Sequence, residues 1–457
     1  MSQREPLVRI DELRRHVRDA ARRASSAELH RRAGRVTRAV GLAVESAGPT
    51  AAVGEECRLE RGDGELLSLA EVVGFEDGKV YSMPVDPVRG LRRGDRIVAT
   101  GRHPRVPVGE ALLGRVLDAE GDPIDSGGPL RHTRMRPIHG DPIPALERPP
   151  ITEPLCTGIR ALDGLVTLGR GQRIGIFAGA GVGKSRLLGS IARHAADVVV
   201  VIALVGERHR EVREFVEGEL GPAGLARSVV FVATSDESPL RRVRCALAAT
   251  TAAEEFRRRG LHVTLMMDSL TRVAMALREI GLATGEPPSS KGYPPSVFAF
   301  LPRLLERAGN LEGGGTVTGI YTVLVEADDL MEPVSDGTRA ILDGHVVLSR
   351  ALAERSQFPA IDVLASSSRV MEKVIGREHD EAAAVVRRLL AVYRDNRDLV
   401  AIGAYKPGGD PGLDRAVRMH APIVEYLEQD LSVPSPLDIT RHQLVALAKM
   451  SVHEEAH

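Results

Sequence analysis

The sequence of 457 residues has no tryptophan, only 6 tyrosines and 8 phenylalanines, and 3 cysteines. So few aromatic side chains argue against a protein that stacks single-stranded bases on ring platforms. Charge is balanced, with 61 Lys and Arg against 62 Asp and Glu. The chain therefore lacks the basic excess that a nucleic-acid binder uses to neutralise phosphates. Cys57, Cys156 and Cys245 are scattered and have no metal-ligand spacing. That excludes a disulfide framework and a zinc finger, and it fits a reducing cytosolic compartment. No apolar run reaches the roughly 18 residues of a membrane span. The first residues lack the apolar stretch of a signal peptide.

The length predicts two to four domains and is ample for sizeable cores. Residues 1–40 hold 11 Arg against 5 acidic residues. Leu7, Ile10, Leu13, Val17, Ala21 and Ala24 recur there at helical spacing. The spacing predicts an amphipathic helix over 6–32 with a basic face. Such a helix either packs on its own protein or docks on a partner or an acidic membrane surface. From Arg35 to Pro104, short segments (Val36–Val44, Ser68–Val73, Arg96–Ala99) alternate with Gly-Asp, Asp-Gly and Pro turns. This predicts a small β-barrel. Proline and glycine are dense from Pro104 to Pro154, as in a connector.

Beyond Gly169 the pattern is α/β. Apolar runs at Arg173–Phe177, Val198–Val205, Val229–Ala233, His262–Met267 and Thr316–Val325 suit buried parallel strands. Val297, Leu301, Leu304, Leu305 and Ala308 lie at helical spacing between two of them. A parallel sheet covered by helices buries both patterns. After Ser368 the chain reads as mostly helical. The expected organisation is thus a helix over 1–33, a barrel over 34–104, a nucleotide-binding α/β core over 105–368 and a helical domain over 369–457. There is no fixed-period repeat.

The sharpest motif is Ala178-Gly179-Ala180-Gly181-Val182-Gly183-Lys184-Ser185, which follows an apolar run and opens a helical one. Glycines let backbone N–H groups turn inward around phosphates, and the helix N-terminus adds partial positive charge. Lys184 is placed to reach the β- and γ-phosphates, and the Ser185 hydroxyl to ligate Mg²⁺. The strict pattern has Gly where Ala178 stands, a mild departure because the later glycines do the turning. A second magnesium-side carboxylate belongs at the end of a neighbouring strand, where Asp268 closes His262–Met267. An Asp in that place also commonly caps the next helix. Glu207 follows Val198–Val205, expected beside the P-loop strand, and a carboxylate at that end faces the ligand crevice. Its neighbours Arg208, Arg210, Glu211 and Arg213 alternate in charge, so a solvated salt-bridge cluster is equally consistent with the spacing.

Together the strings GRGQRIGIFAGAGVGKS, GERHREVREF, LMMDSLTR, GEPPSSKGYPPSVFAFLPRLLERAG, ILDGHVVLSR, PAIDVLASSSRV and IGAY resemble the flagellar and type III secretion ATPases. Those enzymes are similar in turn to the catalytic subunits of rotary ATP synthases. The resemblance runs from about Gly34 to Gln429. It implies a RecA-like P-loop core with an N-terminal β-barrel and a C-terminal helical domain, assembled as a homohexamer that hydrolyses ATP with Mg²⁺. It implies that Ala178 to Ser185 and Arg186 bind nucleotide and that Glu207 polarises the attacking water. Arg208 and Glu211 would support Glu207 and the magnesium shell. Arg369 would reach into the neighbouring subunit's site, and Tyr426 would pack on adenine. Glu286–Phe298 would line the central hole, and Glu326–Pro333 would face a central stalk. Implied partners are an export regulator or stator protein at the N-terminal helix, a central coiled-coil stalk protein, export-gate membrane proteins, chaperone–cargo complexes and acidic lipids, with no nucleic acid. The implied place is cytoplasmic, at the inner face of the bacterial membrane export apparatus.

One position departs from the resemblance: His209 stands where those enzymes usually have Gly. Three activities remain to be separated. The first is an export motor of flagellar type, with an injectisome motor as its near alternative. The second is a hexameric nucleic-acid translocase, which RNA or DNA would stimulate. The third is a non-catalytic subunit, which would lack the water-polarising Glu; here Lys184, Glu207 and Arg369 lie on one chain. Arg170-Gly171-Gln172-Arg173 leans flagellar, and Ala360–Met371 leans slightly towards the injectisome.

Overall fold

A computed structural model of the chain describes residues 17, 32–195, 198–325, 329 and 331–451. The helix expected over 6–32 therefore lies outside the described residues, apart from Val17 and Arg32. Residues 326–328 and 330 of the expected stalk-facing loop are outside them too. The described residues fall into two compact units that divide between Arg102 and His103.

The first unit is a closed six-stranded barrel, built from β1 (Ala33–Val40), β2 (Ala43–Ala47), β3 (Glu56–Glu60), β4 (Leu66–Glu76), β5 (Lys79–Pro84) and β6 (Arg96–Ala99). The order is β1-β2-β5-β4-β3-β6, and closure leaves no free sheet edge. Alternate residues point inward: Val36, Val44, Cys57, Leu59, Ala70, Val72, Val80 and Ile97 form its core. Asp77 and Gly78 both have positive φ, the twist that joins β4 to β5 in a two-residue hairpin. Val36–Val44, expected as one strand, is two strands because the chain turns back at Gly41 (φ 59°).

The second unit carries β7 (Arg105–Val108), β8 (Arg115–Leu117), β9 (Arg134–Pro137), β10 (Pro154–Leu155), β11 (Leu168–Gly169), β12 (Arg173–Ala178), β13 (Val199–Glu207), β14 (Ser228–Thr234), β15 (His262–Asp268), β16 (Gly309–Asn310), β17 (Thr316–Leu324), β18 (Gly344–Leu348) and β19 (Ile361–Ser368). Its main sheet runs β19-β18-β12-β17-β15-β13-β14-β8, and β16 pairs with β17. β19 and β16 are antiparallel to their neighbours; the rest are parallel. The period of two explains why both faces are buried. Val200, Ile202 and Leu204 of β13 join one core, and Val201, Ala203 and Val205 join the other. The first core packs under the helix Lys184–His194; the second packs under the helices Pro239–Arg258, Leu270–Ala283 and Pro295–Leu305.

Two features differ from expectation. β13 is not beside the P-loop strand: β12 lies between β17 and β18, and β17 and β15 separate it from β13. The Pro- and Gly-rich stretch 104–154 is more than a connector, because β8 forms an edge of the sheet and β7 pairs with β9. Strands of three or four residues are too short to carry a readable period. The C-terminal region is helical as expected, and its helices Arg377–Asp395, Pro411–Leu427 and Leu437–Met450 share a core with the sheet. Val386, Met419, Ile423 and Leu444 pack in one cluster with Leu162 and Leu165. No helix among the described residues is long and apolar enough to cross a membrane.

Candidate active site

β12 is buried through Ala178 and delivers the chain to the loop Gly179–Gly183. Gly181 (φ 80°) and Gly183 (φ 89°) adopt left-handed backbone that a Cβ would strain. Val182, 2% exposed, anchors the loop from below. The helix Lys184–His194 then begins, held to the sheet by Leu187, Leu188 and Ile191, with Ser185 and Arg186 exposed. The N–H groups of a helix's first turn have no intrahelical partners, which is what an anion site at this loop requires.

The Lys184 side chain is largely buried and reaches across the strand ends. Its Nζ pairs with the Asp268 carboxylate and lies 3.7 Å from Glu207 Oε1. Burial opposes its charge, but Asp268 and Glu207 outweigh that and raise its pKa. Asp268 is the buried last residue of β15, and Thr322 Oγ1 from β17 donates to its Oδ1 at 2.7 Å. It is not a helix cap. Ser269 caps the next helix, its Oγ accepting from the Arg272 N–H at 3.3 Å. Asp268 is thereby left facing Lys184.

Glu207 closes β13 and is only 16% exposed, whereas the side chains of Arg208, Arg210 and Arg213 are 77–79% exposed. The alternating charges thus split into one inward carboxylate and a solvated helix face. Burial, reinforced by the negative charge of Asp268 and opposed by Lys184, pushes the Glu207 carboxyl up to about 7. Glu211 is lowered instead, first by its contact with the Glu207 carboxyl. The Arg208 side chain is in solvent. Its backbone N–H meets Glu211 Oε2 at 3.4 Å, and its side chain is a loose 3.8 Å from Glu211. In this subunit its ordered contact is therefore made by the main chain. His209 also faces outward, with Nε2 3.0 Å from Asp236 Oδ1.

Beside the P-loop lies a cavity of about 270 Å³, lined among others by Val182, Gly183, Arg186, Phe358, Pro359 and Gln429. The Gln429 N–H donates to the Phe358 carbonyl at 2.9 Å and clips its two walls together. Tyr426, expected against adenine, does not line it. The Tyr426 ring is buried in the core, with its hydroxyl donating to the Thr440 carbonyl at 3.3 Å. It sits on the inward face of Pro411–Leu427. Phe358 is the aromatic that the cavity presents. Its only sequence signal was a ring before a proline, outside any periodic pattern.

Arg369 is exposed and follows β19. Because β19 is antiparallel to β18, Ser368 pairs with Gly344, while the P-loop end of β12 pairs with Leu348. Arg369 therefore lies at the opposite end of the sheet from Lys184 of its own chain. The length of β12, six residues at about 3.3 Å each, separates the two ends. In the loop Glu286–Phe298, Glu286 holds Ser296 through its backbone N–H (2.9 Å) and Oγ (2.5 Å), and Arg278 lies over Tyr293.

Among the described residues no three His, Cys, Asp or Glu side chains are grouped to cage a metal. The donors around Lys184 are hard oxygens: the Ser185 hydroxyl and the carboxylates of Asp268, Glu207 and Glu211. That set fits Mg²⁺, which takes one or two protein oxygens and completes its shell with phosphate and water.

The family models match the chain in three segments. Residues 36–101 match the beta-barrel domain and 158–368 the nucleotide-binding domain of the ATP synthase alpha/beta family; residues 375–446 match the T3SS EscN ATPase C-terminal domain. The chain is 48% identical over 431 residues to the flagellum-specific ATP synthase of Bacillus subtilis (strain 168), covering 94% of this chain and 97% of that protein. It is 51% identical over 396 residues to the type 3 secretion system ATPase of Sinorhizobium fredii (strain NBRC 101917 / NGR234), covering 87% and 88%. Among solved structures it resembles the assembled ATPase EscN of the enteropathogenic E. coli type III secretion system, with a TM-score of 0.86, 42% identity, and coverage of 91% of this chain and 100% of that one. With its barrel, sheet and C-terminal helices each matched and relatives of this identity along nearly its whole length, the chain belongs to the flagellar and type III secretion export ATPase family, within the ATP synthase alpha/beta family.

Proposed function

We propose that this chain is an ATP hydrolase that works as a homohexameric ring and energises protein export of the flagellar type. The observation that carries the ring is the division of the site. Lys184, Glu207 and Asp268 converge on one chain, while Arg369 sits a strand's length away. A second copy must bring an Arg369 to each P-loop. The assembled state of EscN, and its complex with the central stalk EscO, support a ring with a stalk partner here as well. Export-gate proteins, chaperone–cargo complexes and a regulator at the N-terminal segment are the further partners proposed. The place is cytoplasmic, peripheral to the membrane.

The chemistry follows from the residues. The P-loop N–H groups and Lys184 hold the phosphates and spread their charge. Phe358 and Arg186 border the space for the base and sugar. Glu207, raised towards neutrality, takes a proton from a water whose oxygen bonds to the γ-phosphorus, while the bond from that phosphorus to the bridging oxygen of ADP breaks. Mg²⁺ on Ser185 and Asp268 would screen the phosphate oxygens. Arg369 from the next subunit stabilises the charge that spreads in the transition state, worth ~10³–10⁵ in rate.

Mixing mutants tests the division. Rings of Lys184→Ala and rings of Arg369→Ala should each be inactive. A mixture with proven subunit exchange should regain activity at about a quarter of interfaces, where an intact P-loop meets an intact Arg369. A mixture as inactive as its parents, over a series of ratios with wild-type protein, rules out the shared site.

A further inference from the structure

Arg369 is rooted in a polar joint at the foot of β12. Its N–H donates to the Asp343 carbonyl at 2.9 Å. Asp343, between the helix Pro333–Ile341 and β18, is fixed several times over. Its own N–H donates to the Arg173 carbonyl at 2.8 Å. Asp343 Oδ2 accepts from the backbone N–H and Nε of Arg173, both at 3.0 Å, and Oδ1 accepts from Nη2 at 3.0 Å. This is a two-pronged, charge-assisted grip of fixed geometry. Gln172 is fully buried, and its Nε2 donates to the Asp343 carbonyl and to Ser368 Oγ, each at 3.1 Å, while its Oε1 accepts from the Gly169 N–H at 2.9 Å. Arg173 is also paired with Glu306, which holds Arg148 at 3.1 Å. Apart from the Glu306–Arg148 pair, each of these bonds has an end on residue 172, residue 173 or Arg369. None reaches the P-loop, which leaves β12 at its other end.

The proposed division of the active site leaves this joint without a task in its own site. We propose that Asp343, with Gln172 and Arg173, is a positioning residue for Arg369, setting the reach of the guanidinium that this subunit offers to its neighbour. The inference rests on Arg369 acting across the boundary. It adds that the finger is braced against the same strand that carries the subunit's own P-loop. A nucleotide-dependent shift of β12 would therefore be felt at the next site.

The test asks on which side of an interface the defect falls. Asp343→Ala keeps the P-loop and loses the grip on Arg173. ATP should bind as in the wild type, and kcat should fall about a hundredfold, the loss expected for a reacting group misplaced by about 1 Å. Full-length Asp343→Ala protein is then mixed, with subunit exchange verified, with Lys184→Ala and separately with Arg369→Ala. Asp343→Ala subunits supply good P-loops and Lys184→Ala subunits supply good fingers, so the first mixture should regain activity. The second has no well-placed finger and should not. Arg173→Lys, which keeps the cation and loses the fork, should sort in the same way. Recovery with Arg369→Ala but not with Lys184→Ala would assign Asp343 to its own P-loop and overturn the proposal. Recovery with neither partner, or wild-type kcat in Asp343→Ala and Arg173→Lys, overturns it as well. The Lys184→Ala and Arg369→Ala mixture serves as the control. If it stays inactive, the divided site itself has failed, and this proposal fails with it.

Discussion

Replacing Glu207 by Gln separates binding, chemistry and stability in one substitution. Gln keeps the size of the side chain and cannot ionise. The Glu207 carboxyl is raised from 4.5 to about 7 in the folded protein by burial and by Asp268. Ionising it in the fold is thereby disfavoured by about 3 kcal/mol. The sign follows from proton binding. The folded state holds this proton up to about pH 7, and the unfolded chain releases it near 4.5, so between those values the unfolded state binds fewer protons. Stability contributed by this group therefore falls as pH rises through that window. Glu207→Gln should match the wild type near pH 4 and become more stable than it by up to about 3 kcal/mol at pH 8.5. Its turnover should drop ~10²–10⁴-fold for loss of the base, while ATP still binds. The wild-type kcat/KM should rise with pH through about 7, and the variant should lack that limb. Urea midpoints at several pH values, nucleotide titration and single-turnover hydrolysis make the set. A stability difference that does not change with pH, or normal turnover per bound ATP, would refute the reasoning.

Phe358→Ala removes the ring that borders the cavity beside Gly183. Loss of a stacking face of about 1 kcal/mol should weaken ATP about fivefold with kcat nearly unchanged, and an unaltered Kd for a fluorescent nucleotide would count against a base site there. Arg307 and Glu254 are 2% and 3% exposed, and Arg307 also donates to Thr251 Oγ1 (2.9 Å) and to the Ile138 carbonyl (2.8 Å). Arg307→Ala leaves the buried Glu254 with only the half-exposed Arg258, 3.5 Å away, and should cost about 3 kcal/mol in a denaturant titration; a loss below about 1 kcal/mol would show that Arg258 compensates.

Local physics made much of this protein legible from its sequence. The Gly-rich loop between an apolar run and a helix announced the phosphate site, because only that order of elements aims N–H groups at an anion. The five long apolar runs lie within β12, β13, β14, β15 and β17 to a residue or so at their ends, because strands buried on both faces must be apolar throughout. Asp268 and Glu207 were visible as carboxylates at strand ends, but each had a second reading. Only tertiary structure placed them, giving the cap to Ser269 and turning Glu207 inward while its charged neighbours stayed in water. Sheet order was hidden, since parallel strands of similar composition carry no mark of their neighbours. Short elements such as β8 were hidden too, because their length defeats periodicity. Tyr426 shows the same limit: a helix face is set by what packs on it, and here the core took the ring and left the cavity to Phe358. The sequence alone determined the chemistry of the P-loop chain. The position of Arg369 at the far end of the sheet, rooted on Asp343, was decided only when the antiparallel β19 carried the chain back along β18.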